Sequence, residues 1–235
     1  MKILWFSCGA ASAIACKIAL EKYPDATIVY QHIASAHPDN ERFIADCEKW
    51  YQKSIIRIRS MFYTDQFHVV KATRYINGPA GARCTTELKK KVRKQFELEN
   101  PGIELQIFGM TADEKHRADR LNDQPYWFPL IEQGIYKQEC YERLHVAGID
   151  LPQMYKIGFN NNNCIGCVKG GKGYWNMIRI HFPDKFNQMA ELEREIGRSC
   201  INGRFLDELS PDEGSHKEPD ISCGLFCLAE KEAIK

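Results

Sequence analysis

Cys164 and Cys167 close the run Asn160-Asn161-Asn162-Asn163-Cys164-Ile165-Gly166-Cys167, and their spacing lets two thiolates of one loop face a single metal ion. Cys84, eighty residues upstream and just before a basic helix, offers a third thiol. Cys223 or Cys227 offers a fourth. Four thiolates suit an iron–sulfur cluster or zinc equally, and spacing does not separate the two. Cys8, Cys16, Cys47 and Cys140 read as packing residues, although Cys8 lies in a loop with chemistry of its own. Disulfides are not expected among the ten cysteines, because the N-terminus reads as a strand rather than an export signal and 235 residues need no staples.

That loop is Ser7-Cys8-Gly9-Ala10-Ala11-Ser12, between an apolar run and a helix of small residues. Backbone N–H groups at a helix N-terminus suit an anionic phosphate, and a tight strand-to-helix turn would use the same residues. Two more candidates sit in strand-end loops. His37 precedes Pro38 and Asp39, and reads either as a catalyst or as hydrogen-bonded scaffolding. Gly109-Met110-Thr111-Ala112-Asp113-Glu114 leads to Arg117 and Arg120, which are placed to meet a nucleotide. The lysines of 89–94 would attract a nucleotide or RNA strand, or make a solvated helix face.

Strands are predicted at 2–6, 26–30, 54–58 and 104–108, with a weaker one at 68–70. Helices are predicted at 13–21, 41–51, through 89–94, and at 138–147 and 183–197. This alternation predicts an α/β fold, a doubly wound, mostly parallel sheet. Ligands of such sheets sit beyond the carboxyl ends of the strands, the edge shared by the loops after Phe6, Tyr30 and Phe108. Residues 1–129 are expected to form the nucleotide-binding domain, and 130–235 a cysteine-rich C-terminal extension packed on it, with a polar connection at 210–220. A 44% hydrophobic and 27% charged composition supports a soluble core. A net charge of +1 gives no global case for nucleic acid or an acidic membrane. No apolar run approaches the roughly 18 residues that span a bilayer, so a cytoplasmic location is expected.

In their order along the chain these segments resemble the phosphoadenosine phosphosulfate (PAPS) reductase family of the adenine nucleotide α-hydrolase-like (PP-loop) superfamily. Residues 7–12 are similar to its Ser-x-Gly phosphate loop. His37-Pro38-Asp39-Asn40-Glu41-Arg42-Phe43 resembles its Pro-Glu-Thr-Tyr-Arg-Phe segment, and 109–118 its Gly-x-Arg-x-x-(Glu/Gln)…Arg-Ala loop. Phe128-Pro129, then Gly148 to Pro152, Tyr155, Gly158 and the Cys164–Cys167 pair follow in family order. The resemblance implies an enzyme that binds an adenine nucleotide or sulfonucleotide through Ser7, Cys8, Gly9, Ala10, Ser12, His37, Gly109, Glu114 and Arg117. It implies a [4Fe–4S] cluster, with zinc as the alternative, on Cys84, Cys164, Cys167 and Cys227. Ser222-Cys223-Gly224-Leu225-Phe226 is similar to the family's Glu-Cys-Gly-Leu-His, which implies Cys223 as the nucleophile and thioredoxin as the reductant.

The chain also departs from the family. Arg83 replaces the first cysteine of the usual pair, Ser222 replaces Glu, and Phe226 replaces His. Cys8 and Ala11 stand where ATP pyrophosphatases of the wider group carry Gly and Asp, which disfavours Mg-ATP adenylation. Sulfonucleotide reduction is therefore the leading expectation. The alternative is an ATP-dependent sulfur transferase acting on tRNA or another nucleic acid through an iron–sulfur cluster, with lysines of 89–94 and 169–172 holding the RNA. A zinc-stapled nucleotide sensor without turnover is the third.

Overall fold

A computed structural model describes residues 1–78, 81–121 and 125–214. Cys223 and Cys227, together with the last part of the polar connection, lie outside the described residues. Strand β1 (Lys2–Phe6) leads into helix α1 (Ala10–Lys22), β2 (Thr27–Gln31) into α2 (Asn40–Tyr51), and β3 (Ile55–Ile58) into α3 (Gln66–Thr73). A short helix α4 (Arg83–Thr85), a π-helical turn (Thr86–Lys90) and α5 (Lys91–Glu99) then form one rod that leads to β4 (Leu105–Phe108). After α6 (Lys115–Ala118) comes β5 (Tyr126–Trp127), and the rest of the described chain is helical. Its helices are α7 (Pro129–Glu132), α8 (Lys137–Val146), α9 (Gln153–Lys156), α10 (Lys172–His181) and α11 (Pro183–Ile196).

The five strands form one sheet in the order β3-β2-β1-β4-β5, every pairing parallel. The central strands are apolar on both sides, as strands covered on two faces must be. Leu4, Phe6, Ile28 and Ile107 face a core shared with α1, α2 and α8. Ile3, Trp5, Val29 and Phe108 face the opposite layer with Phe96 of α5. The one polar side chain inside β4, Gln106, is satisfied by the Trp5 indole at 2.8 Å. Arg93 of α5 lies over the rings of Trp5, Phe108 and Tyr126, so part of the basic run packs against the sheet.

Residues 68–70, expected as a weak strand, are helical. Asp65 caps α3 by accepting the His68 N–H at 2.8 Å. Phe67, Val69 and Val70 turn to a second core with Trp175, Phe186 and Met189 from α10 and α11. Burial against those helices outweighs the β preference of two adjacent valines. This second core anchors the loop that carries Cys164 and Cys167.

Chain order reverses between β1 and β4, so their carboxyl ends open a crevice at a topological switch point. There Gly109 touches the first turn of α1, and a Cβ at 109 would lie 2.5 Å from Ser12 Cα and 2.7 Å from Ser12 N. Neither backbone can yield without moving a whole element. Gly109→Ala should lower the unfolding free energy by about 3 kcal/mol or more. Gly102→Ala, which meets nothing within 4 Å, should stay within about 1 kcal/mol of the parent. Equal urea midpoints for the two variants would show that this approach is not a constraint.

Candidate functional site

The crevice is a cavity of about 460 Å³, within the roughly 300–1,000 Å³ usual for small-molecule sites. Ser7, Gly9 and Ser12 line it after β1, Gln31 and Ile33 after β2, and Gly109, Glu114 and Arg117 after β4. The C-terminal segment closes it with Lys137, Tyr155, the four asparagines and Cys164.

The turn between β1 and α1 is held from within. Cys8 takes a left-handed conformation (φ 61°) and Gly9 caps the helix. Ser12 Oγ accepts the Gly9 N–H at 3.2 Å and donates to Gly9 O at 2.9 Å. The first turn of α1 carries no acidic side chain, so no carboxylate of its own offsets its partial positive charge. Arg117 is only 8% exposed and pairs with Glu114. The same Glu114 carboxylate accepts from the Thr111 N–H and hydroxyl, each at 3.1 Å. Glu114 thus fixes its own loop and aims Arg117.

Other expected ligands are placed differently. Cys8 is fully buried, its thiol beside Asn40 O at 3.7 Å, and it does not line the cavity. Burial, helped by Cys47, pushes that thiol well up, which keeps it protonated. Ala10 is buried in the turn and contributes its backbone N–H rather than a side-chain surface. His37 lies outside the cavity lining. Its Nδ1 accepts the Asp39 N–H at 3.1 Å, its ring packs edge-on against Phe182, and burial lowers its pKa. The segment around His37 matters instead through Asp39 and Arg42. Arg42 holds Asp39 with two bonds of 2.7 and 2.8 Å and donates to the carbonyls of Asp150 and Leu151, while Asp39 Oδ2 accepts the Gln153 N–H at 2.8 Å. This clasp ties the C-terminal segment to the loop after β2.

Beside the main cavity, Cys84, Cys164 and Cys167 line one small void of about 10 Å³ with Gln66, Thr85, Leu88 and Lys89. Cys164 and Lys89 border both spaces. The cysteine loop is held hard. Tyr174 Oη accepts from the N–H groups of Gly166 and Cys167 at 3.0 and 2.8 Å and donates to Cys164 O at 2.8 Å. Gln66 Nε2 donates to the carbonyls of Ile165 and Gly166. The π-helical turn after Cys84 is tied to β2 by Gln31, whose amide donates to Lys89 O at 2.9 Å. Among the described residues no three donors close on a single ion. Three thiols around one void nonetheless suit, as donor types, a thiolate-ligated centre completed by a further ligand. Cys16, Cys47 and Cys140 lie in the first core and are kept protonated by burial, Cys47 and Cys140 each pushed up to about 12.

No family model matches the sequence, and no curated protein matches it. The structure is similar to phosphoadenylyl-sulfate (PAPS) reductase from Candida auris, solved as a phosphate complex. The TM-score is 0.52 at 8% identity, over 68% of this chain and 78% of that one. The fold is that of a PAPS reductase. The U34-tRNA thiolase NcsA from Methanococcus maripaludis, solved with its [4Fe–4S] cluster, aligns over 84% of this chain and 72% of that one at 11% identity, with a TM-score of 0.39.

Within this PAPS reductase fold, sequence reasoning passed over several residues that build the site. Tyr155 covers the phosphate loop, accepting the Ala10 N–H at 3.4 Å. Asn162 Nδ2 donates to Cys8 O and Asn40 Oδ1 at 2.6 and 2.8 Å. Lys137 reaches Asn161 Oδ1 at 2.9 Å. Cys200 lies near enough to Cys84 for their charges to interact, although burial and Glu193 hold its thiol protonated. Four consecutive asparagines were the available signal, since such a run buries no apolar face and has hydrogen-bonding capacity to spend.

Two predictions follow from this geometry. The Arg42 guanidinium holds the Asp39 carboxyl below its usual range. Its contribution is therefore complete above the unfolded value of about 3.9 and is lost as pH falls through the lower folded value. Asp39→Asn should be less stable than the parent at neutral pH, and the gap should narrow between about pH 5 and about pH 3. Parallel urea-midpoint curves would exclude the clasp. A metal centre on these thiols requires iron or zinc in anaerobically purified protein by elemental analysis, lost in Cys164→Ser and Cys167→Ser and kept in Cys140→Ala. Metal retained by both serine variants would remove these thiols from the ligand set.

Proposed function

We propose that the chain is an enzyme of sulfur metabolism that binds an adenine nucleotide in the 460 Å³ cavity, and that it reduces a sulfonucleotide. The observation that carries this reading is the junction of β1, α1 and β4. A helix N-terminus free of acidic side chains and a buried, carboxylate-aimed Arg117 converge there on one polar space. Helix dipole and guanidinium both favour a group with delocalised negative charge, such as a phosphate or sulfo group.

Cys84, Cys164 and Cys167, with Cys227 as the further ligand, would hold a [4Fe–4S] cluster or zinc. Bound there, such a centre would cross-link the segments that carry these cysteines and fix the wall beside the cavity. In the reduction the Cys223 thiolate attacks the sulfonucleotide's sulfur. An S–S bond forms, the S–O bond to phosphate breaks, and its electron pair leaves on the nucleotide's phosphate oxygen. A dithiol protein such as thioredoxin then attacks the Cys223 sulfur, sulfite departs with the S–S electron pair, and the second thiol closes the reductant's disulfide. The first turn of α1 and Arg117 hold the oxygen on which charge accumulates.

The test is product analysis of anaerobic protein given adenylyl sulfate, or its 3′-phosphorylated form, with thioredoxin. Sulfite and an adenosine phosphate are expected, and Cys223→Ser should abolish sulfite release while nucleotide binding is unchanged. Pyrophosphate released from ATP on addition of tRNA, with no sulfite from either sulfonucleotide, would replace this reading by ATP-dependent sulfur transfer to a nucleic acid.

A further inference from the structure

Tyr155 comes from α9 in the C-terminal segment, yet its hydroxyl lies over the first turn of α1, 3.0 Å from where a Cβ on Gly9 would stand. The Ala10 N–H donates to this oxygen at 3.4 Å, and the Asn162 N–H donates to it as well. A phenol that accepts from two backbone donors has its own proton left to give. Burial raises the Tyr155 pKa well above the ordinary phenol value, so that proton stays in place throughout the neutral range. Tyr141 fixes the ring by edge-on packing at 5.4 Å between centroids, and the residue lines the cavity.

Asn162, next to Tyr155 in the same wall, shows the complementary gap. Donation from Nδ2 to Cys8 O and Asn40 Oδ1 fixes which way its amide points. Asn162 Oδ1 is then buried without a partner. A buried acceptor in a polar cavity calls for a donor from a ligand or ordered water. The wall over the phosphate loop therefore presents one spare donor, at Tyr155, and holds one buried acceptor without a partner behind it.

Resting on the reading that the cavity binds an anionic nucleotide, we propose that Tyr155 donates its hydroxyl hydrogen bond to a phosphate or sulfo oxygen held at the first turn of α1. The anion site is then built from both halves of the chain. α1 and Arg117 supply charge, and Tyr155 supplies a neutral donor that cannot titrate away.

Isothermal titration of the full chain and of Tyr155→Phe with adenosine 5′-phosphate, inorganic phosphate and adenosine tests this. Loss of one hydrogen bond to a charged group should weaken adenosine 5′-phosphate and phosphate by about tenfold or more, and leave adenosine within about twofold. Equal weakening of all three ligands would mean that Tyr155 only shapes the loop, and no weakening of either anion would mean that it donates nothing. Both results overturn the proposal. A parent chain that binds phosphate but neither adenine compound would overturn the nucleotide reading, and the phosphate arm alone would then decide Tyr155. Binding of none of the three would overturn both.

Discussion

The first turn of α1 can present its N–H groups to the crevice only because the end of β4 runs directly against it. Gly109 has no side chain there, and the space a Cβ would need is filled by the backbone of Ala11 and Ser12. From this approach the rest of the site follows. Loop 109–114 lies beside the phosphate loop, Thr111 and Glu114 lock its conformation, and Arg117 is brought to the same cavity. The small residues of α1 serve the same end. Ala10, Ala13, Ala15 and Ala19 are buried, which lets the helix sit close against the sheet beneath it while α7 and α8 cover its other side.

Beyond α8, which packs in the first core through Cys140 and Leu144, the C-terminal segment is fastened to the cavity by polar bonds. The Arg42–Asp39 clasp, the Asn162 bonds to Cys8 and Asn40, and Tyr155 over Ala10 all join it to loops of the first half. Bonds of this kind are directional, so they fix where Tyr155 and the asparagines point, which burial alone would not. A second apolar anchorage lies further out, in the core where α3 meets α10 and α11. Tyr174 and Gln66 pass that rigidity to the backbone around Cys164 and Cys167.

Four of the five strands were legible, most plainly β1, β2 and β4, whose buried interiors read as apolar runs, whereas the two-residue strand β5 is too short to show in a sequence. The helices of the first half announced themselves by period or by small residues. Val69 and Val70 misled because β-branched neighbours suggest a strand, and only the distant α10 and α11 explain why they are helical. No element was predicted over 174–181, yet Tyr174, Trp175 and Ile178 form the buried face of a helix. At the site, glycine and small-residue positions were readable because backbone geometry demands them. The side chains that do the fastening were not, since Tyr155, Asn162 and Tyr174 act on residues far away in sequence. His37 was singled out by type, but a histidine's surroundings decide its role. Here they are the Asp39 amide and the Phe182 ring.

The cysteines divide by environment rather than by number. Cys8, Cys16, Cys47 and Cys140 are enclosed by the first core and held as thiols, and a protonated thiol is neither a good nucleophile nor a metal ligand. Cys84, Cys164 and Cys167 instead belong to the second core and line a small void there with Lys89. Cys164 and Lys89 also line the main cavity. Because Cys164 and Lys89 belong to both linings, any change in the shape of the cysteine loop is also a change in the wall of the cavity.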